Sequence, residues 1–162
     1  MINLPYAYIG VMGLFGEPEE PPWNEPRLKE VGWRELEFLI GAALESRGYD
    51  AEVTPAVKDG GVDVDADRID LLKSILFRPK IVPRKSKLVI DAKQWSTPVG
   101  VNPVEDIAET AEEHGGTGVI ASPSGFTNTA KEVANELGVK LYDADRILEL
   151  LNTAEVEKPD IE

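Results

Sequence analysis

Cysteine is absent from the chain, and histidine occurs once, as His114. The first absence excludes disulfide scaffolds and thiolate metal centres. The second excludes a histidine-cluster zinc site and a two-histidine mechanism. No apolar run approaches the roughly 18–20 residues needed to cross a bilayer, so no membrane role is expected. The apolar residues 1–15 lack a basic start and a small-residue cleavage site, so a signal peptide is not expected and a cytoplasmic location is. Lysine is scarce: 10 lysines stand against 19 glutamates, and the net charge is -13. Such a field repels nucleic acid at long range. Adaptation to a high-salt, halophilic setting is a competing explanation, because surface charges are screened within about 3 Å at 1 M salt. It predicts a fold that loosens in dilute buffer.

Acidic residues are themselves missing from one window. Between Lys73 and Ile90 there is no acid, while Lys73, Arg78, Lys80, Arg84, Lys85 and Lys87 supply six bases. The segment is either a solvated loop or an arm that grips phosphate on double-stranded DNA. Pro79 and Pro83 favour an extended or hairpin-like excursion over a helix.

What is present suits one compact domain, with 162 residues of which 42% are hydrophobic. Residues 1–27 read as irregular, ending in the acidic linker Glu17-Pro18-Glu19-Glu20-Pro21-Pro22. Residues 28–151 read as the core domain, with 73–87 as a basic insertion. Residues 152–162 read as a disordered polar tail. Apolar steps at Leu36, Leu39, Ile40, Ala43 and Leu44 predict a helix over 28–47, stopped by Gly48. Strands are expected over 49–57, 62–66, 87–95, 118–122 and 139–142, the first two antiparallel. Residues 67–77 suit a short helix. Further helices are expected over 104–113, 127–137 and 144–151. Asn102 and Asp143 are the expected caps of the first and last of these, Pro103 takes the first position after Asn102, and Gly138 is a stop. The order predicts an α/β fold with a mixed central sheet and helices on both faces.

The chemistry concentrates in Asp59-Gly60-Gly61-Val62-Asp63 and Ile90-Asp91-Ala92-Lys93-Gln94. Side chains alternate along a strand, so Asp91 and Lys93 share a face. Leu88, Val89 and Ile90 mark a strand buried on both sides, where unpaired charge is expensive. The pair is therefore either a structural ion pair or a hydrolytic site. In the second reading Asp91 and the Ala92 carbonyl hold a hard ion such as Mg²⁺, and Lys93 steers the attacking water and offsets charge on the phosphate. Asp63, against the double-glycine turn, is either a second ligand or a surface acid. Asp65 and Asp67 read as surface acids, and a mid-helix glutamate such as Glu37 is ordinarily solvated. Trp95 reads as packing, and Gln94 could reach the cleft rim. Ser124 and Thr127 either meet a phosphate or simply cap a turn over a buried Phe126. His114 reads as a surface residue at a helix end.

In order, Leu36-Glu37, Gly48-Tyr49, Asp59-Gly60-Gly61-Val62-Asp63, Asp91-Ala92-Lys93-Gln94-Trp95, Pro98-Val99-Gly100, Ala121-Ser122-Pro123-Ser124-Gly125-Phe126-Thr127 and Leu141-Tyr142-Asp143 resemble one known pattern. It is the catalytic domain of Mrr-type restriction endonucleases, within the PD-(D/E)xK nucleases, over roughly residues 33–151. The resemblance implies a restriction-endonuclease-like core and Mg²⁺-dependent hydrolysis of DNA phosphodiesters, with Mn²⁺ able to substitute. It implies Asp63 and Asp91 as metal ligands, Lys93 as the catalytic lysine and Glu37 as a helical acid. Relatives often carry glutamine where this chain has Asp91. The basic insertion is unusual, and no separate DNA-recognition domain is evident, so specificity falls to the insertion or to a separate specificity subunit. Double-strand cutting calls for a homodimer or two encounters. The rivals are a repair nuclease or Holliday junction resolvase on the same core, and a non-catalytic DNA-binding module.

Overall fold

The computed structural model describes residues 22–53, 64–69 and 85–156. Its strands are β1 (Asp50–Val53), β2 (Val64–Ile69), β3 (Lys85–Ala92), β4 (Thr117–Ala121) and β5 (Lys140–Tyr142). They form one sheet in the order β1-β2-β3-β4-β5. The pairs β1–β2 and β2–β3 are antiparallel, and β3–β4 and β4–β5 are parallel. The helices are α1 (Glu25–Glu30), α2 (Trp33–Ser46), α3 (Val101–Glu113), α4 (Asn128–Leu137) and α5 (Ala144–Thr153). No helix among the described residues is long and apolar enough to cross a membrane.

β3 is the middle strand, and its alternation divides the core in two. Leu88, Ile90 and Ala92 face one way, into a cluster with Val64, Ala66, Val119, Ala121 and apolar residues of α1, α2 and α5. Val89 faces the other way, into a cluster with Ile120 and residues of α3 and α4. Val89 and Ile90 are fully buried, and each such side chain stabilises the fold by about 1.5–3 kcal/mol relative to exposure. The expected α/β core, a mixed sheet with helices on both faces, is what forms.

Local chemistry sets several boundaries as expected. Asp143 caps α5 by accepting from the Arg146 N–H at 3.1 Å. Gly138 ends α4 with φ 72°, a left-handed conformation suited to glycine. α3 lies hard against β4: a Cβ on Gly118 would stand 3.0 Å from the Ile107 carbonyl oxygen.

Other boundaries differ. The helix expected over 28–47 is two helices, because Val31 and Gly32 are extended between them. Residues 25–27, expected to be irregular, begin α1, capped by Asn24. α3 starts at Val101 with Gly100 as its cap, not at Asn102. Pro103 then sits in the first turn, where a helix leaves its N–H groups unpaired in any case. The helix suggested over 67–77 is excluded for Asp67–Ile69, which belong to β2, and its remainder lies outside the described residues. The tail is packed as far as Val156. The Asn152 side chain bonds both the N–H and the carbonyl of Trp23, each at 3.0 Å, and Trp23 Nε1 donates to the Val156 carbonyl at 2.6 Å. The partners are 129 and 133 residues apart, and local polarity carries no sign of such pairing.

Candidate active site

β3 carries the central residues to the edge of the sheet. Lys93 continues its extended course, donating its backbone N–H to the Ala121 carbonyl at 2.8 Å. Asp91, Lys93 and Trp95 therefore follow one another at two-residue steps on the α3 side of the sheet. Lys93 Nζ lies 2.9 Å from Asp91 Oδ2, with side chains 26% and 14% exposed. Trp95 was expected to pack, yet it is 47% exposed, and Lys93 Nζ stands 5.9 Å from its ring centre. The ammonium is thus held between a carboxylate and the face of an indole.

These three residues line a pocket of about 540 Å³. Its other wall is the start of α3, with Gly100, Val101, Asn102, Pro103 and Asp106. The loop from Lys93 to α3 is stapled to the β4–α4 turn. Val99 N–H donates to the Gly125 carbonyl at 2.9 Å, and Thr127 N–H donates to the Val99 carbonyl at 3.0 Å. The Ser124 hydroxyl donates to the Thr97 carbonyl at 2.9 Å, and Thr127 Oγ1 accepts from the Ala130 N–H. Thr127 thus caps α4 and Ser124 ties this turn to the loop before α3, in keeping with the capped-turn reading of the two hydroxyls. Phe126 beneath them is buried.

Gln94 points across the sheet instead of to the cleft. Its amide approaches the Leu28 carbonyl at 3.4 Å, and it does not line the pocket. Glu37 is fully buried, unlike an ordinary helical glutamate, and its Oε2 pairs with Arg34 Nη1 at 2.8 Å. Its helix α2 packs against β1, β2, β3 and α5, on the face of the sheet opposite α3. A buried carboxylate without compensation costs several kcal/mol, so this position is built, not incidental.

Asp63 and the Asp59-Gly60-Gly61-Val62 turn lie outside the described residues, as do Lys73, Arg78, Lys80 and Arg84. The strands beside them are informative. Val64 pairs with Ile90, and Ile69 pairs with Lys85. The insertion therefore leaves and rejoins the sheet at the start of β3. Asp91 is six residues further on, about 20 Å along the strand. Lys87 is not free to grip phosphate. Its Nζ lies 2.8 Å from Asp65 Oδ2, and this hydrogen bond raises the lysine's pKa. His114, at the C-terminal end of α3 as expected, brings Nδ1 within 3.6 Å of the same oxygen. Asp65 is thus a partnered acid, not the plain surface residue it resembled.

Among the described residues no group of three histidine, cysteine or acidic side chains could hold a metal ion. The donors present at the pocket fit a hard ion: the Asp91 carboxylate opens into it, and no thiolate or imidazole lines it.

Trp95, which read as packing, and Asp106, which carried no reading, both line the pocket. The signal for Trp95 was available, since the alternation that joins Asp91 to Lys93 also reaches residue 95. Asp106 needed the helix placement.

Comparison with known proteins follows the same lines. Among curated proteins, the chain is 28% identical over 132 residues to the uncharacterized protein y4cE of Sinorhizobium fredii (strain NBRC 101917 / NGR234). That alignment covers 78% of this chain but only 31% of the relative's length. Among solved structures, the protein of unknown function AF1548 is similar with a TM-score of 0.51 at 18% identity, covering 73% of this chain and 66% of that one. The MspJI restriction endonuclease, in complex with a 27-mer oligonucleotide, is similar with a TM-score of 0.53 at 16% identity, covering 82% of this chain and 30% of that one. These two likenesses are likenesses of fold. The family model for a restriction endonuclease catalytic domain of the Mrr type matches residues 28–151, and the chain belongs to that family.

Proposed function

We propose that this domain is a divalent-metal-dependent endodeoxyribonuclease of restriction type, hydrolysing phosphodiester bonds of double-stranded DNA in the cytoplasm. The observation that carries the reading is the Asp91–Lys93 pair, 2.9 Å apart at the open end of a strand whose preceding residues are fully buried. A rigid strand that ends in a charged pair beside a pocket is suited to hold reacting groups in fixed geometry.

Asp91, the Ala92 carbonyl and Asp63 are the proposed metal ligands. Asp63 directly precedes Val64 in the chain and Asp91 directly follows Ile90, and Val64 and Ile90 are register partners. Oxygen ligands of this kind suit Mg²⁺, with Mn²⁺ as substitute. When bound, the ion supplies positive charge against the scissile phosphate and the leaving oxygen. Lys93 presents an ammonium with three donors. Its place beside Asp91 lets it orient the attacking water or hold a non-bridging phosphate oxygen, where a charge-assisted hydrogen bond is strongest in a water-poor site. Glu37 is assigned the role of the helical acid that supports the site from α2. Lys73, Arg78 and Lys80 are proposed as phosphate contacts. Two copies would serve for double-strand cutting, with specificity supplied by the basic insertion or by a separate protein.

Supercoiled plasmid incubated at high salt with Mg²⁺ or Mn²⁺ tests the reading. Wild type should nick, chelator should stop it, and Asp91→Asn should lose about 100-fold or more. Equal nicking by wild type and Asp91→Asn would end it. Glu37→Gln should lower the rate with the fold retained. Neutralising Lys73, Arg78 and Lys80 together should flatten the salt dependence of binding.

A further inference from the structure

The chain has three tryptophans, and they are used differently. Trp23 is 1% exposed and belongs to the core. Trp33 is exposed with the Arg34 guanidinium over its ring at 5.3 Å, and it does not line the pocket of Asp91 and Lys93. Trp95 is 47% exposed in the pocket wall with Lys93 Nζ over its ring at 5.9 Å, so a partner can stack only on the part of the ring that the ammonium leaves open. An aromatic ring of this size left open to water at a pocket mouth is a surface prepared for a flat, apolar partner.

We propose that Trp95 is a stacking platform for an unpaired nucleobase next to the scissile phosphate, so that the site holds DNA with an extruded or mismatched base in preference to a perfect duplex. The proposal rests on the nuclease reading of the same pocket. Lys93 Nζ is 5.9 Å from the ring centre, so a base lying on Trp95 carries its own phosphodiester within about one nucleotide of the ammonium. In a paired duplex both faces of a base are covered by its neighbours in the stack. Only a base drawn out of the stack can offer a face to the indole, and the cost of unstacking is least for a mismatch. The volume of about 540 Å³ falls within the range of small-molecule sites.

The opposite wall is consistent with a base and not with a second phosphate. Val101 and Pro103 are partly buried apolar neighbours, while Asn102 and Asp106 are exposed polar ones. A carboxylate repels phosphate, but it accepts from the exocyclic amine of cytosine. Asp106 and Asn102 are therefore placed to read the edge of a base that Trp95 holds by its face. Base–aromatic stacking accounts for about 1–3 kcal/mol per base, which corresponds to roughly 5- to 150-fold in affinity.

The test measures binding apart from cleavage. Fluorescence anisotropy with the full chain in chelator, which prevents cutting, would compare one labelled duplex with the same duplex carrying a single mismatch. Wild type should bind the mismatched duplex more tightly. Trp95→Ala should lose about tenfold on the mismatched duplex and little on the perfect one, and Trp95→Phe should keep most of the preference. Trp95 lies outside the core, and circular dichroism would confirm an unchanged fold for both variants. Equal binding of the two duplexes by wild type, equal losses on both in Trp95→Ala, or no binding to either would overturn the proposal. A wild type that never nicks plasmid, yet shows the Trp95-dependent preference, would sink the nuclease reading and leave the stacking platform standing.

Discussion

Two acid–lysine pairs lie on the same face of the sheet, one toward each end of β3. Near its start, Lys87 reaches across to Asp65 on β2 at 2.8 Å, with side chains 21% and 25% exposed. At its end, Lys93 meets Asp91 at 2.9 Å, with comparable exposure. Distance and burial hardly separate them. What differs is the cover. At the first pair α3 closes down: His114 adds a third group to Asp65, and a Cβ on Gly116 would touch both Val89 and the Lys87 stem at 3.0–3.1 Å. At the second, the start of α3 and its preceding loop leave a pocket, and an exposed indole stands beside the amine. An ion pair in a fold is therefore not evidence of chemistry. An ion pair with room for a substrate is a candidate for it.

The contrast can be broken most sharply at Lys93. Lys93→Ala should cut the nicking rate by about 100-fold or more, while the melting temperature stays within a few degrees, because a partly exposed pair contributes about 1 kcal/mol or less. A large fall in melting temperature with activity retained would reverse the assignment of the two pairs.

The next effect concerns the helix that spans both pairs. Gly118→Ala would press a methyl group against the Ile107 carbonyl and the Ala111 Cβ, at 3.0 and 3.4 Å. Overpacking of this kind costs about 1–3 kcal/mol. It should lower the melting temperature and also slow nicking, since the displaced helix forms the pocket wall. A loss of stability with full activity would show that the pocket does not depend on where α3 sits.

Lys87→Met should change less. It removes the ammonium and keeps the apolar stem, so thermal melting should fall by about 2–4 °C at most, with nicking within a factor of about three. The pH dependence gives the sign. Asp65 holds the Lys87 pKa above its usual value, so the contribution is complete below the unfolded value of about 10.4 and is lost as pH rises through the folded one. The difference in melting temperature between wild type and Lys87→Met should be steady at neutral pH and shrink above about pH 10.4. A difference that grows there would contradict the pairing.

Much of this arrangement was legible in the sequence, for local reasons. Period-two alternation put Asp91 and Lys93 on one face, and an apolar run marked the buried strand before them. Asp143 and Gly138 declared helix ends through chemistry contained in a few residues. The rest depended on contacts that sequence distance hides. Lys87 read as part of a basic arm because its partner, Asp65, is set by the register of β2 on β3. Glu37 stood out only through the family resemblance, because a mid-helix glutamate is ordinarily solvated and its burial comes from α2 packing over the sheet. For Ser124 and Thr127 the phosphate and capped-turn readings both stayed open, because the loop they staple, around Thr97 and Val99, is almost thirty residues earlier. Residues 152–156 read as a disordered tail because Trp23, which holds them, is at the other end of the chain.

The most direct test of the account is one plasmid-nicking assay with wild type, Lys93→Ala and Lys87→Met side by side, with Mg²⁺ and high salt. The account predicts that wild type and Lys87→Met nick at similar rates and that Lys93→Ala is nearly inactive. Comparable losses in both variants, or undiminished nicking by Lys93→Ala, would contradict it.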